Sequence, residues 1–144
     1  MARNYYSEIN LHITWHCKES LPLLTRRVER IVFDDVRSRI GREDGAIFRE
    51  IGGTETHVHV VASIPPTLQI SEWIGRLKGG SSYAVNNLMP GGSSFEWQVG
   101  YGVVSFATKN VEGVCRYARE QKEIHAKRLL RPTLERITAF EDPP

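Results

Sequence analysis

The chain is organised around the segment Thr56-His57-Val58-His59-Val60-Val61. Two histidines separated by one residue lie within an apolar, β-branched run, which predicts a strand. Side chains alternate along a strand, so His57 and His59 point to one face while Val58 and Val60 point to the other. Such a strand can bury one side in a core and hold a metal ion on the other, although the same pair also fits histidines that simply face solvent.

Length and composition indicate one soluble globular domain. The chain has 144 residues, of which 40% are hydrophobic and 25% charged, and its net charge is +2. A charge this small means that nucleic-acid binding would depend on local clusters of basic residues. No apolar run approaches the ~20 residues that cross a bilayer and the start lacks a signal-peptide core, so we expect a cytoplasmic protein without membrane contacts. Cys17 and Cys115 are isolated, which favours small buried hydrophobes over a zinc or redox site.

Hydrophobic periodicity predicts seven main elements. The chain starts with a strand at 5–17, a helix at 21–40, and strands at 46–51 and 55–63 joined by a turn at Gly52-Gly53. A helix at 67–88 with Thr67 as N-cap, a strand at 95–107 and a helix at 111–128 capped by Asn110 follow. The order β-α-β-β-α-β-α predicts an α+β, ferredoxin-like fold, with an antiparallel sheet, two helices on one face and the other face open.

Three features of the sequence have a structural explanation: two histidines, the arginines of the first helix and a pair of glycines. His12 and His16 alternate with apolar residues of the first strand, so we expect surface imidazoles on the open face. The arginines of the first helix are mixed with acids, which favours a solvated outer surface over a DNA-binding one. Gly79-Gly80 inside the second helix predicts a break or the close approach of another group, such as a phosphate.

Tyr117 and Gln121 are four residues apart on the last helix and so share one face, which we expect to be a half-buried edge. Taken alone, the pair fits a packed tyrosine beside a surface glutamine. Combined with His57 and His59, Gln121 completes an open-sided set of three ligands for a divalent cation, and Tyr117 could attack what that cation polarises. This equipment fits phosphodiester transfer through a covalent phosphotyrosine.

The chain resembles the HUH-type single-tyrosine transposases of bacterial insertion sequences, which include the repeat-associated tyrosine transposases. The resemblance covers nearly the whole chain and rests on several motifs in order. They are Leu11-His12-Ile13-Thr14-Trp15 with Lys18, His57-Val58-His59, Arg76-Leu77-Lys78-Gly79 with Ser81-Ser82, the segment Trp97-Gln98-Val99-Gly100-Tyr101-Gly102-Val103-Val104-Ser105, and Tyr117-x-x-x-Gln121. Thr56 stands where Asp or Asn commonly precedes the first histidine, Ala118 replaces an isoleucine, and Ile124 stands where a histidine is frequent.

The resemblance implies a transposase that cleaves and rejoins single-stranded DNA through a 5′-phosphotyrosine and recognises hairpins at element ends. It assigns Tyr117 as nucleophile, and His57, His59 and Gln121 as ligands of Mg²⁺ or Mn²⁺. It also implies a homodimer in which the tyrosine helix can act in trans. We expect DNA contacts from a set of basic and hydroxyl side chains, namely Lys18, Arg76, Lys78, Ser81 and Ser82. Residues 1–130 would form the transposase domain and 131–144 a short tail.

Two alternatives stay open. The first is a non-catalytic or domesticated protein that binds single-stranded nucleic acid through the ferredoxin-like sheet; such sheets usually stack bases on exposed aromatics, which are lacking on the predicted faces here. The second is an HUH replication initiator or relaxase with the same chemistry; the compact 144 residues, without a helicase or oligomerisation domain, favour the transposase over it. A Tyr117→Phe protein that still cleaved DNA would contradict the transposase hypothesis.

Overall fold

A four-stranded antiparallel sheet forms the centre of the computed structural model, which describes residues 4–91 and 93–138. Its strands, in the order β2-β3-β1-β4, are β1 (Ile9–His16), β2 (Ile47–Gly53), β3 (His57–Ile64) and β4 (Gly102–Phe106). The helices are α1 (Arg26–Arg42), α2 (Ile70–Leu88), α3 (Val111–Arg119) and α4 (Gln121–Ala126). Element order and strand order confirm the predicted α+β, ferredoxin-like arrangement. No helix in the described part of the chain is long and apolar enough to cross a membrane.

The main core lies between one face of the sheet and helices α1 and α2. The four-residue repeat predicted for the first helix is confirmed, because Val28, Val32, Val36 and Ile40 are all buried. The other buried members of this core include Leu11, Ile13, Trp15, Val58, Val60, Trp73, Ile74 and Leu77. This core fixes β1 and β3 side by side, with Trp15 opposite Val58 and His16 opposite His57.

The second face of the sheet is covered, so the prediction of an open face is wrong. Helix α3 packs on β2 and β3, with Val114 and Ala118 against Val61. The segment 131–138 lies against β1 and β4 through its short 3-10 turn, Pro132–Leu134. His12, expected at the surface, is consequently buried, and His16 is half-buried.

Two glycines permit this second layer to approach the sheet. A Cβ at Gly52 would overlap the carbonyl oxygen of Ala118, and a Cβ at Gly102 would overlap the carbonyl oxygen of Arg136. The predicted turn at 52–53 is wrong, since both glycines belong to β2 and the chain reverses at residues 54–56. Glycine is needed here because the backbones of α3 and of the C-terminal segment rest directly on the strands.

Helix α2 differs from its prediction at its start, and its middle shows one of the two predicted features. It begins at Ile70 with Gln69 as N-cap, not with Thr67, and it runs unbroken through Gly79-Gly80. A Cβ at Gly80 would overlap the guanidinium of Arg39 on α1. The glycine therefore allows two helices to pack closely, which confirms the close approach that was predicted as the alternative to a break. Thr25, whose side chain accepts from Val28 N, similarly starts α1 at Arg26, five residues later than predicted.

The predicted strand at 95–107 is mostly a loop. Only Gly102–Phe106 forms β4, and Trp97 makes a single bridge to Cys17. Lys78 Nζ donates to the carbonyls of Gln98 and Gly100, both at 2.8 Å, and Gly100 has a φ of +103°. A side chain of α2 thus satisfies the carbonyls that a strand neighbour would otherwise bind, and the chain bends at a glycine.

Replacing Gly52 by alanine should lower the free energy of unfolding by about 1–3 kcal/mol, because the added methyl displaces the α3 backbone. Urea denaturation measures this. The control is Gly79→Ala, where nothing lies within 4 Å of the added Cβ in the middle of a helix, and which should raise the free energy of unfolding by about 0.5–1 kcal/mol. Equal effects of the two substitutions would contradict the packing argument.

Candidate metal centre and tyrosine site

His59 is the most buried member of the histidine pair. Its Nδ1 lies 2.8 Å from His12 Nε2, which comes from the neighbouring strand β1. Its Nε2 lies 3.3 Å from a carboxylate oxygen of Glu135 but has no hydrogen bond of good geometry. The contact with His12 fixes the ring orientation and leaves Nε2 as a buried nitrogen that faces the carboxylate.

Two threonine hydroxyls orient His57. Its Nδ1 lies 2.8 Å from Thr56 Oγ1 and 3.0 Å from Thr54 Oγ1. An Nδ1–H that donates to these oxygens leaves a lone pair on Nε2. Thr56, at the position where the resemblance implies an acid or amide, therefore still orients His57. His16 stacks on the same ring, with centroids 4.6 Å apart.

Tyr117 lies beside His59 within the same chain. The two rings are nearly perpendicular, with centroids 5.7 Å apart. The Tyr117 hydroxyl donates to Glu135 Oε2 and accepts from the backbone N–H of Arg131 at 2.9 Å. The tyrosine is only 3% exposed, because the C-terminal segment covers it. The expected half-buried edge is thus a buried site.

Gln121 is fully buried at the first position of α4. Its Nε2 donates to the carbonyl of Tyr117 at 2.8 Å. The predicted single helix is interrupted next to it, at Glu120, which ends α3. Side-chain bonds to the backbone of this kind compete with regular helix geometry. Its Oε1 has no hydrogen-bond partner among the described residues. A buried carbonyl oxygen without a partner costs about 1–3 kcal/mol, which a bound cation or water would relieve; the role of Gln121 as a ligand stays a prediction.

His125 and Glu135 join the histidine pair in one cluster that the sequence analysis missed. One ligand atom from each of His57, His59, His125 and Glu135 lies within 4.8 Å of the others. Glu135 Oε1 is 3.3–3.4 Å from the three imidazole Nε2 atoms, and His57 Nε2 is 3.2 Å from His125 Nε2. The available signal was spacing, since Tyr117, Gln121 and His125 recur every four residues.

These four groups fit a divalent cation. Three imidazoles and a carboxylate are common ligands of transition metals. Ligand atoms bound tetrahedrally at about 2.0–2.1 Å from one ion are roughly 3.3 Å apart, close to the separations from Glu135 Oε1 and between His57 and His125. His59 Nε2, buried without a hydrogen bond, is the kind of orphan atom that a cation would satisfy.

Electrostatics keep the imidazoles in the form that binds metals. Burial, and then the neighbouring His59, lower the pKa of His12 to about 3; burial and His57 lower that of His16 to about 4. Burial also lowers the pKa values of His59 and His125. Burial by itself would raise the pKa of Glu135, but the adjacent imidazoles of His57 and His59 and the Tyr117 hydroxyl hold it well below its usual range. Neutral imidazoles and an ionised carboxylate are the ligand forms of these groups.

The side chains expected to touch DNA lie apart from this cluster and have protein partners. Lys18 pairs with Glu96 at 2.8 Å, and Arg76 with Glu43 at 3.4 Å. Lys78 holds the loop before β4. Ser81 and Ser82 donate to backbone carbonyls of α2, and Ser81 also accepts from Trp97 Nε1. No observation tests their contact with DNA, which stays a prediction.

A groove of about 670 Å³ adjoins the tyrosine site. It lies between the start of α3 and the segment 131–134, and its lining includes the basic side chains of Lys109, Arg116 and Arg131. The Arg131 guanidinium also lies 5.2 Å from the centre of the Tyr117 ring. With Glu112 as the one acid among its described lining residues, the groove has a net positive lining next to the phenol.

The fold and the site together define a class of α+β proteins that carry a histidine pair on an inner strand and a tyrosine on a helix packed against it. The sequence model of the family described as "Transposase IS200 like" matches residues 5–121. The chain belongs to this family.

Solved structures share the fold. A Deinococcus radiodurans R1 protein assigned as a transposase is 19% identical, with a TM-score of 0.64 over 88% of this chain and 96% of that one. A repeat-associated (REP) tyrosine transposase bound to a REP hairpin is 16% identical, with a TM-score of 0.61 over 87% of this chain and 73% of that one. No curated protein sequence matches the chain.

Removing a cluster ligand should weaken metal binding. We expect Glu135→Gln and His125→Ala each to reduce the affinity for Mn²⁺ at least tenfold, as measured by isothermal titration calorimetry. Mn²⁺ should bind more tightly than Mg²⁺, because imidazoles suit transition metals whereas Mg²⁺ prefers oxygen ligands. Glu123→Gln, an exposed carboxylate on α4 that pairs with Lys127, is the control and should bind like wild type. Unchanged affinity in all three variants would contradict a site at this cluster.

Acidification should destabilise the metal-free protein. Because the folded-state pKa values of His12 and His16 lie below the ordinary 6.5, the unfolded chain binds protons first. Their contribution is fully present above pH 6.5 and is lost as the pH falls towards 3–4, by up to about 1.4 kcal/mol per pH unit for each imidazole. Denaturation at a series of pH values in chelator measures the slope, and His12→Gln should make it shallower by up to one proton. An unchanged slope would contradict the assignment.

Proposed function

We propose that this chain is a metal-dependent transposase that cleaves and rejoins single-stranded DNA through Tyr117. The observation that carries the proposal is the position of Glu135. One of its oxygens receives the Tyr117 hydroxyl, and the other lies 3.3–3.4 Å from the Nε2 atoms of His57, His59 and His125. A candidate nucleophile and a candidate metal centre therefore meet at a single carboxylate, which supports a phosphoryl-transfer site.

The proposed step is a transesterification. The Tyr117 oxygen bonds to the scissile phosphorus, the bond from phosphorus to the 3′-oxygen breaks, and that oxygen leaves as a 3′-hydroxyl with a proton. The product is a 5′-phosphotyrosine. Attack by a 3′-hydroxyl on this linkage reverses the step and rejoins a strand, so no external energy source is needed.

The chain's own residues serve this step in distinct ways. Burial, and then the hydrogen bond to Glu135, raise the pKa of Tyr117 to about 12, so the phenol is protonated at neutral pH and must lose its proton on attack. Glu135 is the hydrogen-bond acceptor in place on that hydroxyl, and the Arg131 N–H donates to the same oxygen. Lys109, Arg116 and Arg131 line the adjoining groove, where they would hold the phosphates of the strand.

His57, His59, His125 and Glu135 would hold the cation, with Gln121 as a further candidate through its unpaired Oε1. A divalent cation bound there supplies Lewis-acid polarisation of a non-bridging phosphate oxygen and offsets the charge that develops. Of Mg²⁺ and Mn²⁺, the imidazole-rich donor set favours Mn²⁺.

We further propose that the substrate strand carries a hairpin. The structural neighbour that is bound to a REP hairpin supports this, since the two chains share the fold. The proposed chemistry needs no second subunit, because Tyr117 and His59 of one chain are already in contact distance. A homodimer with the tyrosine helix acting in trans stays a prediction.

Tyr117→Phe should abolish the covalent adduct while leaving hairpin binding within about threefold of wild type, because only the nucleophilic oxygen is removed. The assay incubates labelled single strands from the flanks of the gene with the protein and Mn²⁺, and separates adducts on a denaturing gel.

Tyr101→Phe, a tyrosine in the loop before β4, is the matched control and should form the adduct normally. An adduct that persists in Tyr117→Phe would overturn the assignment of the nucleophile. Hairpin binding without any adduct in the wild-type protein would instead indicate a non-catalytic binding module.

A further inference from the structure

Three arginines at the start of α1 line a groove of about 560 Å³. They are Arg26, Arg27 and Arg30, and Ile31 and Leu88 form the rest of the lining. All three arginines are exposed. None of them has an ion pair with a residue of the ranges 4–91 and 93–138. We name this feature the arginine groove.

A second groove, at the opposite end of α1, provides a comparison for the positive charge of the arginine groove. It has a volume of about 260 Å³ and also contains arginines, but Arg39 pairs with Asp35 at 2.8 Å and Arg76 with Glu43 at 3.4 Å. Among the described residues, no acid lines the arginine groove. Its positive charge is therefore available to an anionic partner, whereas that of the second groove is largely compensated.

The acids that made α1 look like a plain solvated surface are engaged elsewhere. Glu29 binds Lys122 at 2.7 Å, and Asp35 binds Arg39. Asp34 lies one turn beyond Arg30 and outside the lining. The mixed charges of α1 therefore leave these three arginines without an ion pair among the described residues. The preference for a solvated surface over a DNA-binding one stays a prediction.

The arginine groove lies at the same end of the sheet as the tyrosine site. Leu24 N, just before α1, donates to the carbonyl of Glu55 at 3.0 Å, two residues before His57. Lys122, which pairs with Glu29, directly follows Gln121 in the sequence. Its Nζ also donates to Gly53 O at 3.2 Å. These contacts attach the first turns of α1 to both sides of the proposed active site.

We propose that the arginine groove binds the phosphate backbone of a DNA hairpin stem and so directs the adjoining single strand to Tyr117. Arg26 to Arg30 cover about 6 Å along the helix axis, over which duplex DNA carries about three to four phosphate charges at 1.7 Å per charge. A single strand carries only about half as many over that length. Three guanidiniums are therefore closer in number to the phosphates of a duplex than to those of a single strand, and the groove lies at the end of the sheet that carries His57. The inference rests on the proposed function, since it assigns the stem of the proposed hairpin substrate to a surface of this chain.

The test compares two triple variants, R26A/R27A/R30A and R37A/R39A/R42A. Both remove three positive charges from α1, but the second removes them from the end about 18 Å further along the helix, counted from Arg30 to Arg42. The probe is a labelled DNA hairpin with a stem of about one helical turn and a single-stranded tail; its stem sequence is arbitrary, because phosphate contacts do not read bases. Fluorescence anisotropy over a range of salt concentrations gives the affinity and its salt dependence.

We expect R26A/R27A/R30A to weaken hairpin binding on the order of 100-fold at 0.1 M salt. The salt dependence should also become weaker, with the magnitude of the negative slope of log K against log salt smaller by about 2–3. R37A/R39A/R42A should stay within threefold of wild type, and R26K/R27K/R30K should retain most of the affinity because it keeps the charge. Binding of the tail alone should be the same in every variant. Thermal unfolding confirms that each variant is folded.

Equal losses in the two alanine variants, or hairpin binding unchanged in R26A/R27A/R30A, would overturn the proposal. Unchanged hairpin binding with lost binding of poly-glutamate would assign the groove to an acidic protein instead. Failure of the proposed function gives a different result. In that case the wild-type protein forms no adduct, while the loss of stem binding in R26A/R27A/R30A is still observed. If only the groove is wrongly assigned, R26A/R27A/R30A forms the adduct and binds the hairpin like wild type.

Discussion

Direct contact between a helix backbone and a sheet backbone determines where the site forms. A Cβ at Gly52 would overlap the Ala118 carbonyl, so α3 can rest on β2 only because this position has no side chain. Ala118 follows Tyr117, and the closeness of its backbone to the strand brings the phenol within 5.7 Å of the His59 ring. Gly102 does the same for the C-terminal segment at Arg136, the neighbour of Glu135. The absence of a Cβ at Gly52 and at Gly102 thus allows the tyrosine and the carboxylate to lie against the histidines.

The first three strands and the first helix could be predicted because their signals are local. Alternation places His12, His57 and His59 on one face, and the structure confirms that face. Whether that face is open depends on α3 and on residues 131–138, which are far away in the sequence, and no local pattern reports it. The loop at 93–101 was misread for a related reason, since its alternation resembles a strand while Lys78, on another element, binds its carbonyls.

The candidate site likewise contains residues that a local sequence pattern indicates and one that it does not. Tyr117 and the histidine pair follow from spacing and resemblance, and the structure brings them together. His125 extends the four-residue spacing of Tyr117 and Gln121, so it could have been found from the sequence. Glu135 could not, because it follows a short 3-10 turn and a left-handed residue, Arg128 with a φ of +57°. No periodicity survives across such a connection, so the carboxylate that touches the tyrosine and the imidazoles becomes visible only in three dimensions.

The cluster also links binding to stability. Three imidazoles in a poorly solvated site, one of them with an orphan Nε2, together with the orphan Oε1 of Gln121, are costly groups to bury. A cation that binds the folded chain and not the unfolded one contributes RT ln(1 + [M]/Kd), or about 2.7 kcal/mol at a hundredfold excess over Kd. Residues 131–138 supply one of the ligands and also cover the phenol. Occupancy of the metal site and closure of this segment over Tyr117 should therefore be coupled, because both depend on the same Glu135 carboxylate.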